Sequence, residues 1–226
     1  AAMPLLAACS SGPTLHGWPI TPTPAPEFTL ASQAGQKVRV SDFRGDLAVV
    51  TFMYTNCTTA CPLISLGLKM AQEQLTPDEA RKVHFLAISV DPERDTPDTA
   101  IAFLKERPAP EGLLFLVGSR TELEPVWKAY KVEARQAMWT PTPPPMEGTP
   151  MPTAMPMGGM PMKGTPMPTA MPMGGEHAGH TGYIVEHTIL AYLVDKKGVM
   201  RSAYVIDAGF TPDDMVKDMR TLLALR

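Results

Sequence analysis

The stretch from Asp42 to Leu75, DFRGDLAVVTFMYTNCTTACPLISLGLKMAQEQL, constrains the fold more than any other part of the chain. It reads as a buried strand over Leu47 to Tyr54, a short polar turn, and a helix with Pro62 near its first turn. Cys57 and Cys61 stand at this strand-to-helix switch, four residues apart. Positions i and i+4 share a helix face, so with Cys61 in the first turn the two sulfurs converge. The unpaired amides and the dipole at a helix start favour thiolate over thiol, which makes such a pair easy to ionise, oxidise or metallate. The alternative is two small core residues. It is disfavoured because the chain has three cysteines in all, and this pair stands at the helix start rather than on the helix's apolar stripe.

With 226 residues, 44% of them hydrophobic, the chain can bury one sizeable core and still carry extra segments. A net charge of -3 and the lack of any basic patch argue against a nucleic-acid partner. Leu6-Ala7-Ala8-Cys9 resembles a lipobox, so Cys9 is expected to carry a lipid, with residues 1–8 a signal-peptide remnant. No later stretch approaches the roughly 18 apolar residues of a membrane span. The protein is therefore expected outside the cytoplasm, lipid-anchored to the cell membrane. In that oxidising compartment Cys57 and Cys61 would rest as a disulfide unless reduced or metal-bound.

Residues 1–26 read as this remnant followed by a Pro- and Thr-rich tether, and residues 27–226 as the folded domain. Phe28 to Leu30 and Lys37 to Val40 bracket Gly35 as a hairpin. After the cysteines, Ile64, Leu68, Ala71 and Leu75 give the helix a buried stripe. Val83 to Val90 is a second apolar strand, Thr96-Pro97-Asp98 a helix start with Ile101 and Leu104 facing inward, and Leu113 to Val117 a further strand. Ser119-Arg120-Thr121-Glu122 fits a capping box for a helix running to about Tyr130. Thr188 to Asp195 and Val199 to Ile206 read as strands joined through Lys196-Lys197-Gly198, and a last helix opens at Thr211 with Met215, Met219 and Leu222 on one side. Strands alternating with helices imply a partly parallel sheet covered on both faces. With a cysteine pair after the first core strand, this is the α/β, thioredoxin-like order.

Four segments carry a family resemblance: DFRGD (Asp42 to Asp46), TFMYTNCTTACP (Thr51 to Pro62), DPERDTP (Asp91 to Pro97) and YIVEHTILAYLVDKKG (Tyr183 to Gly198). In this order they resemble the Sco/SenC family of copper-binding, thioredoxin-like proteins. The resemblance implies one copper ion held by Cys57, Cys61 and His187. Glu186 stands where that family usually has Asp, a change that keeps the charge. Two soft thiolates with one imidazole suit Cu(I), whereas Cu(II) wants a further oxygen or nitrogen ligand. A structural zinc site would want a fourth protein ligand. His84 reads as structural, His16 as part of the tether, and Asp91 as either a supporting group near the site or a turn residue.

Residues 138–181 read as an insertion in this pattern. GTPMPTAMPMGG at Gly148 to Gly159 recurs word for word at Gly164 to Gly175, and such Pro- and Gly-dense repetition is expected to be extended or disordered. Met151, Met155, Met157, Met167, Met171 and Met173 offer soft thioethers, and His177 and His180 follow in EHAGH, so the segment reads as an auxiliary copper-binding arm. Two functions remain open. The resemblance implies a copper chaperone acting on the copper-bearing subunit of cytochrome c oxidase, with another copper carrier or a thiol reductant as further partner. The other is a thiol-disulfide oxidoreductase using Cys57 and Cys61 as a redox pair. His187 and the Met/His arm favour the first.

Overall fold

All seven residues of the strand ahead of the cysteines are buried, which marks it as an interior strand of a sheet covered on both faces. The computed structural model describes residues 13–138, 183–206 and 210–225. In chain order the elements are β1 (Trp18–Pro24), β2 (Thr29–Ser32), β3 (Lys37–Arg39), a 3-10 turn (Val40–Phe43), β4 (Leu47–Met53), α1 (Ala60–Glu73), α2 (Pro77–Ala80), β5 (Val83–Ser89), α3 (Pro97–Glu106), β6 (Leu114–Val117), α4 (Arg120–Ala129), β7 (Ala134–Met138), β8 (Tyr183–His187), β9 (Leu190–Val194), β10 (Val199–Val205) and α5 (Pro212–Ala224). The chain divides into two units, one of Ala1–Gln136 with Val185–Arg226 and one of Ala137–Ile184.

Eight strands form one mixed sheet in the order β1-β10-β9-β4-β5-β6-β2-β3. β4, β5 and β6 run parallel, joined by the helical crossovers that parallel strands require. β9 runs antiparallel to β4, with Thr51 opposite Ala191. α1 follows the expected stripe, burying Ile64, Leu68 and Ala71, and lies against α5, which buries Met215, Met219 and Leu222. Gly67 lets the Phe210 ring, just ahead of α5, come close, since a Cβ there would stand 3.0 Å from it.

Three expectations are corrected. The tether over residues 10–26 is in part a strand: β1 pairs with β10 at the sheet edge. An edge strand needs few ladder donors, so Pro19, Pro22 and Pro24 fit there. Its start is pinned by Asp218, fully buried in α5, whose carboxylate accepts from the His16 and Gly17 amides, from His16 Nδ1 at 2.9 Å and from the Tyr204 hydroxyl. His16 is thus an anchor to the core. In α3 the buried residues are Ala100 and Phe103, not Ile101 and Leu104, because the helix is turned to pack Phe103 on Phe115 of β6. Lastly, His187 ends a strand of its own: β7 and β8 form a separate two-stranded sheet, and Glu133 and Thr188 exchange hydrogen bonds beside it.

Candidate metal centre

Sheet topology gathers the singled-out residues at one edge. The loops leaving the carboxyl ends of the parallel neighbours β4 and β5 carry Cys57 and the Asp91 to Asp95 segment. β9 is antiparallel to β4, so its start, and His187 just ahead of it, come to that same end; Thr51 Oγ1 donates to the Leu190 carbonyl there. More than a hundred residues of sequence separation are closed by one strand pairing.

Cys57 lies in the bend before α1 and Cys61 is the second residue of the helix; they are 3% and 0% exposed, and both are free thiols. The preceding Thr59 makes no side-chain cap. Instead the Cys61 amide donates to Cys57 Sγ at 3.3 Å, so sulfur occupies the acceptor position of a helix cap. This divides the pair electrostatically. The Cys61 thiol and amide, with the Thr59 amide and the Tyr54 hydroxyl, hold Cys57 ionised against the effect of its burial, to about 5. Burial, and the donation of its proton to Cys57, push the Cys61 thiol well up. The two titrate as a unit, one proton leaving easily and the other with difficulty.

His187 meets this pair through Tyr54. The two rings stand edge to face with centroids 5.8 Å apart and planes at 82°. Tyr54 is buried, and burial followed by the neighbouring Cys57 raises its hydroxyl pKa. Burial also lowers the imidazole pKa, opposed by the Thr188 carbonyl and the negative charge of Cys57, so His187 is neutral at pH 7. Nδ1 lies 3.1 Å from the Thr188 carbonyl oxygen and donates to it, which leaves the lone pair on Nε2. Two sulfurs and a neutral imidazole nitrogen are donors of a kind that suits Cu(I). Among the described residues no three His, Cys, Asp or Glu side chains, Cys57, Cys61 and His187 included, stand together closely enough to hold a metal ion.

Two acids beside the site were only partly legible in sequence. Asp91, fully buried, accepts from Arg94 Nε at 2.5 Å, and the Arg94 guanidinium carbon lies 5.9 Å from the Tyr54 ring centroid. Asp95 accepts from the Thr55 amide at 2.9 Å, Thr55 Oγ1 at 2.7 Å and Ser89 Oγ at 2.6 Å. It ties the cysteine loop to the end of β5. Burial, opposed by these bonds, raises its carboxyl to about 6. In sequence Asp95 was one more acid in a turn; its spacing of four from Asp91 was the available signal. Glu186, exposed, at the Asp-to-Glu departure, pairs with Arg135.

A groove of about 580 Å³ runs from His187 along α4, lined by Trp127 and Val132 and by three cations and three anions: Arg120, Lys128 and Arg135 with Glu124, Glu133 and Glu186. Its mixed charge selects neither an acidic nor a basic partner. His84 is structural as expected, bonded through Nε2 to Asp46 at 3.0 Å and packed on Phe43. Cys9, the arm methionines Met151, Met155, Met157, Met167, Met171 and Met173, and His177 and His180 lie outside the described residues. Among the described residues no helix is long and apolar enough to cross a membrane.

The sequence profile of the SCO1/SenC family matches residues 21–147. The chain is 31% identical over 99 residues to a SCO1 protein homolog of Bacillus subtilis, covering 43% of this chain and 51% of that protein; it thus spans about half that relative's length. Bradyrhizobium japonicum ScoI, a structure with copper bound, is 25% identical and superposes with a TM-score of 0.62 over 89% of this chain and all of that one. BsSco, described as a member of the Sco family of cytochrome c oxidase assembly proteins, is 21% identical with a TM-score of 0.58 over 95% and 98%, a likeness of fold. The mixed sheet flanked by helices is the thioredoxin-like fold of these proteins. Because the profile spans more than half of the 226 residues and includes the cysteine pair, the chain belongs to the SCO1/SenC family.

Proposed function

We propose that this protein is a copper carrier that delivers the metal to the copper-bearing subunit of a respiratory cytochrome oxidase. One observation carries the reading: a thiolate-prone cysteine pair at a helix mouth shares the aromatic neighbour Tyr54 with a neutral histidine brought from the far end of the chain. Copper bound in the Bradyrhizobium relative supports the choice of metal, and the membership of BsSco in a family of cytochrome c oxidase assembly proteins supports the choice of acceptor. Cys57 and Cys61 would hold copper as soft ligands and His187 would close the site through Nε2. A carrier must release its cargo, and three ligands instead of four leave room for an acceptor's ligand to enter. Cys9 would fix the carrier to the membrane outside the cytoplasm, and the methionine and histidine arm would add copper capacity.

The division of the two thiols favours a second reading. Cys57 thiolate attacks one sulfur of a partner's disulfide and displaces the other; Cys61 then resolves the mixed disulfide. Two electrons pass to the partner, which leaves as a dithiol, while Cys57 and Cys61 become a disulfide. His187→Ala separates the readings. Metal transfer demands that Cu(I) affinity fall by more than the roughly 10–100-fold that loss of a merely supporting group costs, with disulfide reduction retained. Undiminished copper affinity in that variant overturns the copper site as assigned.

A further inference from the structure

We infer that Tyr54 is the positioning residue that holds the His187 ring in register with the two sulfurs. This deepens the copper reading and rests on His187 being a ligand. β8 lies outside the eight-stranded sheet, so no ladder of that sheet fixes His187 relative to α1. The imidazole's Nδ1 bond is to the next residue's carbonyl, which sets the tautomer but not the distance to the cysteines. The contact that spans from His187 to the cysteine-bearing segment is the ring of Tyr54, edge to face at 5.8 Å.

Tyr54 is itself held on three sides. It is 6% exposed, its carbonyl accepts from the Cys57 amide at 3.3 Å, and the Arg94 guanidinium stands over its ring. Arg94 is anchored in turn by the fully buried Asp91. A chain of contacts therefore runs from Asp91 through Arg94 and Tyr54 to His187, while the backbone of Tyr54 leads in three residues to Cys57. Aromatic pairs of this geometry are directional, so the ring restrains orientation as well as distance. A ring that merely filled space would be replaceable by any apolar side chain of similar bulk. A ring that orients an imidazole is replaceable by phenylalanine and not by leucine.

Tyr54→Phe and Tyr54→Leu, made in the full chain, test this with Cu(II) titration followed by electron paramagnetic resonance, and with nuclear Overhauser contacts between the rings at 54 and 187 in the reduced, metal-free protein. Expected in Tyr54→Phe are retained ring-to-ring contacts and an unmoved His187 resonance, since that variant loses only the hydroxyl donated to Cys57 and keeps the ring. Tyr54→Leu should bind Cu(II) on the order of 10–100-fold more weakly, with altered hyperfine coupling and a displaced His187 resonance. Wild-type Cu(II) affinity and spectrum in Tyr54→Leu, or missing ring-to-ring contacts in the wild type, overturns the assignment. If Tyr54→Leu loses its cooperative unfolding transition, the contacts in the wild type and Tyr54→Phe decide alone. Undiminished copper binding by His187→Ala would instead sink the copper reading, and the metal-free resonances would still decide whether Tyr54 places the ring.

Discussion

Cys57 does two jobs with one sulfur. It accepts the amide that Thr59 leaves uncapped at the start of α1, and it takes the Cys61 thiol as a second donor. Both interactions are stronger to thiolate than to thiol, so ionising Cys57 strengthens the helix start instead of exposing a charge. The sign for stability follows. From about pH 5 to the ordinary thiol range the unfolded chain holds a proton that folded Cys57 has released, so the reduced protein gains stability as pH rises through that window. Thiolate absorbance at 240 nm in the reduced, metal-free protein is expected to grow in with a midpoint near pH 5 for one sulfur. The second should stay silent past pH 9, and Cys61→Ala should move the first midpoint upward. Two equal midpoints near the ordinary thiol value would contradict the division.

Between elements, the cysteine loop is held by the loop after β5. Asp95 accepts three hydrogen bonds, two from the part-buried Thr55 and one from the buried Ser89, and its replacement by Ala leaves these donors without their acceptor, costing about 2 kcal/mol. Its titration runs opposite to that of Cys57. Folded Asp95 keeps its proton up to about pH 6, while the unfolded chain releases it near 3.8, so the folded state binds more protons between these values and loses stability as pH rises through them. The shift corresponds to about 3 kcal/mol. In urea unfolding from pH 4 to 7 the Cys57 contribution is common to wild type and Asp95→Asn, so the difference between the two curves should carry the Asp95 slope; parallel curves would refute it. This clamp was beyond the sequence, whereas the strands and helices it joins were not. β4, β5, α1 and α5 announce themselves by apolar runs and stripes, and the CxxxC motif by residue type. β1 hid behind three prolines, and β7 and β8 are short strands without a buried apolar run. Tyr54 and Asp95 acquire their roles only from neighbours brought by tertiary pairing, so the segments that contain them do not by themselves state those roles.

At the scale of the whole molecule, the fold carries a 44-residue stretch, residues 139–182, between β7 and β8. The two strands pair, and beside them Glu133 and Thr188 exchange hydrogen bonds. Deleting residues 141–179 leaves five residues to join Met138 to Tyr183, a length that closes a strand-to-strand connection. The shortened protein is expected to unfold within about 4 °C of the full chain, since a 1 kcal/mol change moves a domain of this size by roughly 2–4 °C. Copper content is expected to separate from stability. The shortened chain should keep one tightly bound Cu(I), with Cys57, Cys61 and His187 all present, while the full chain should take up more through its methionine thioethers and the histidines of EHAGH. Calorimetry and anaerobic Cu(I) titration against a competing chelator measure the two quantities on the same samples. Equal stoichiometry in both chains would remove copper from the purpose of the arm. A large drop in unfolding temperature would instead make the stretch part of what holds the domain together.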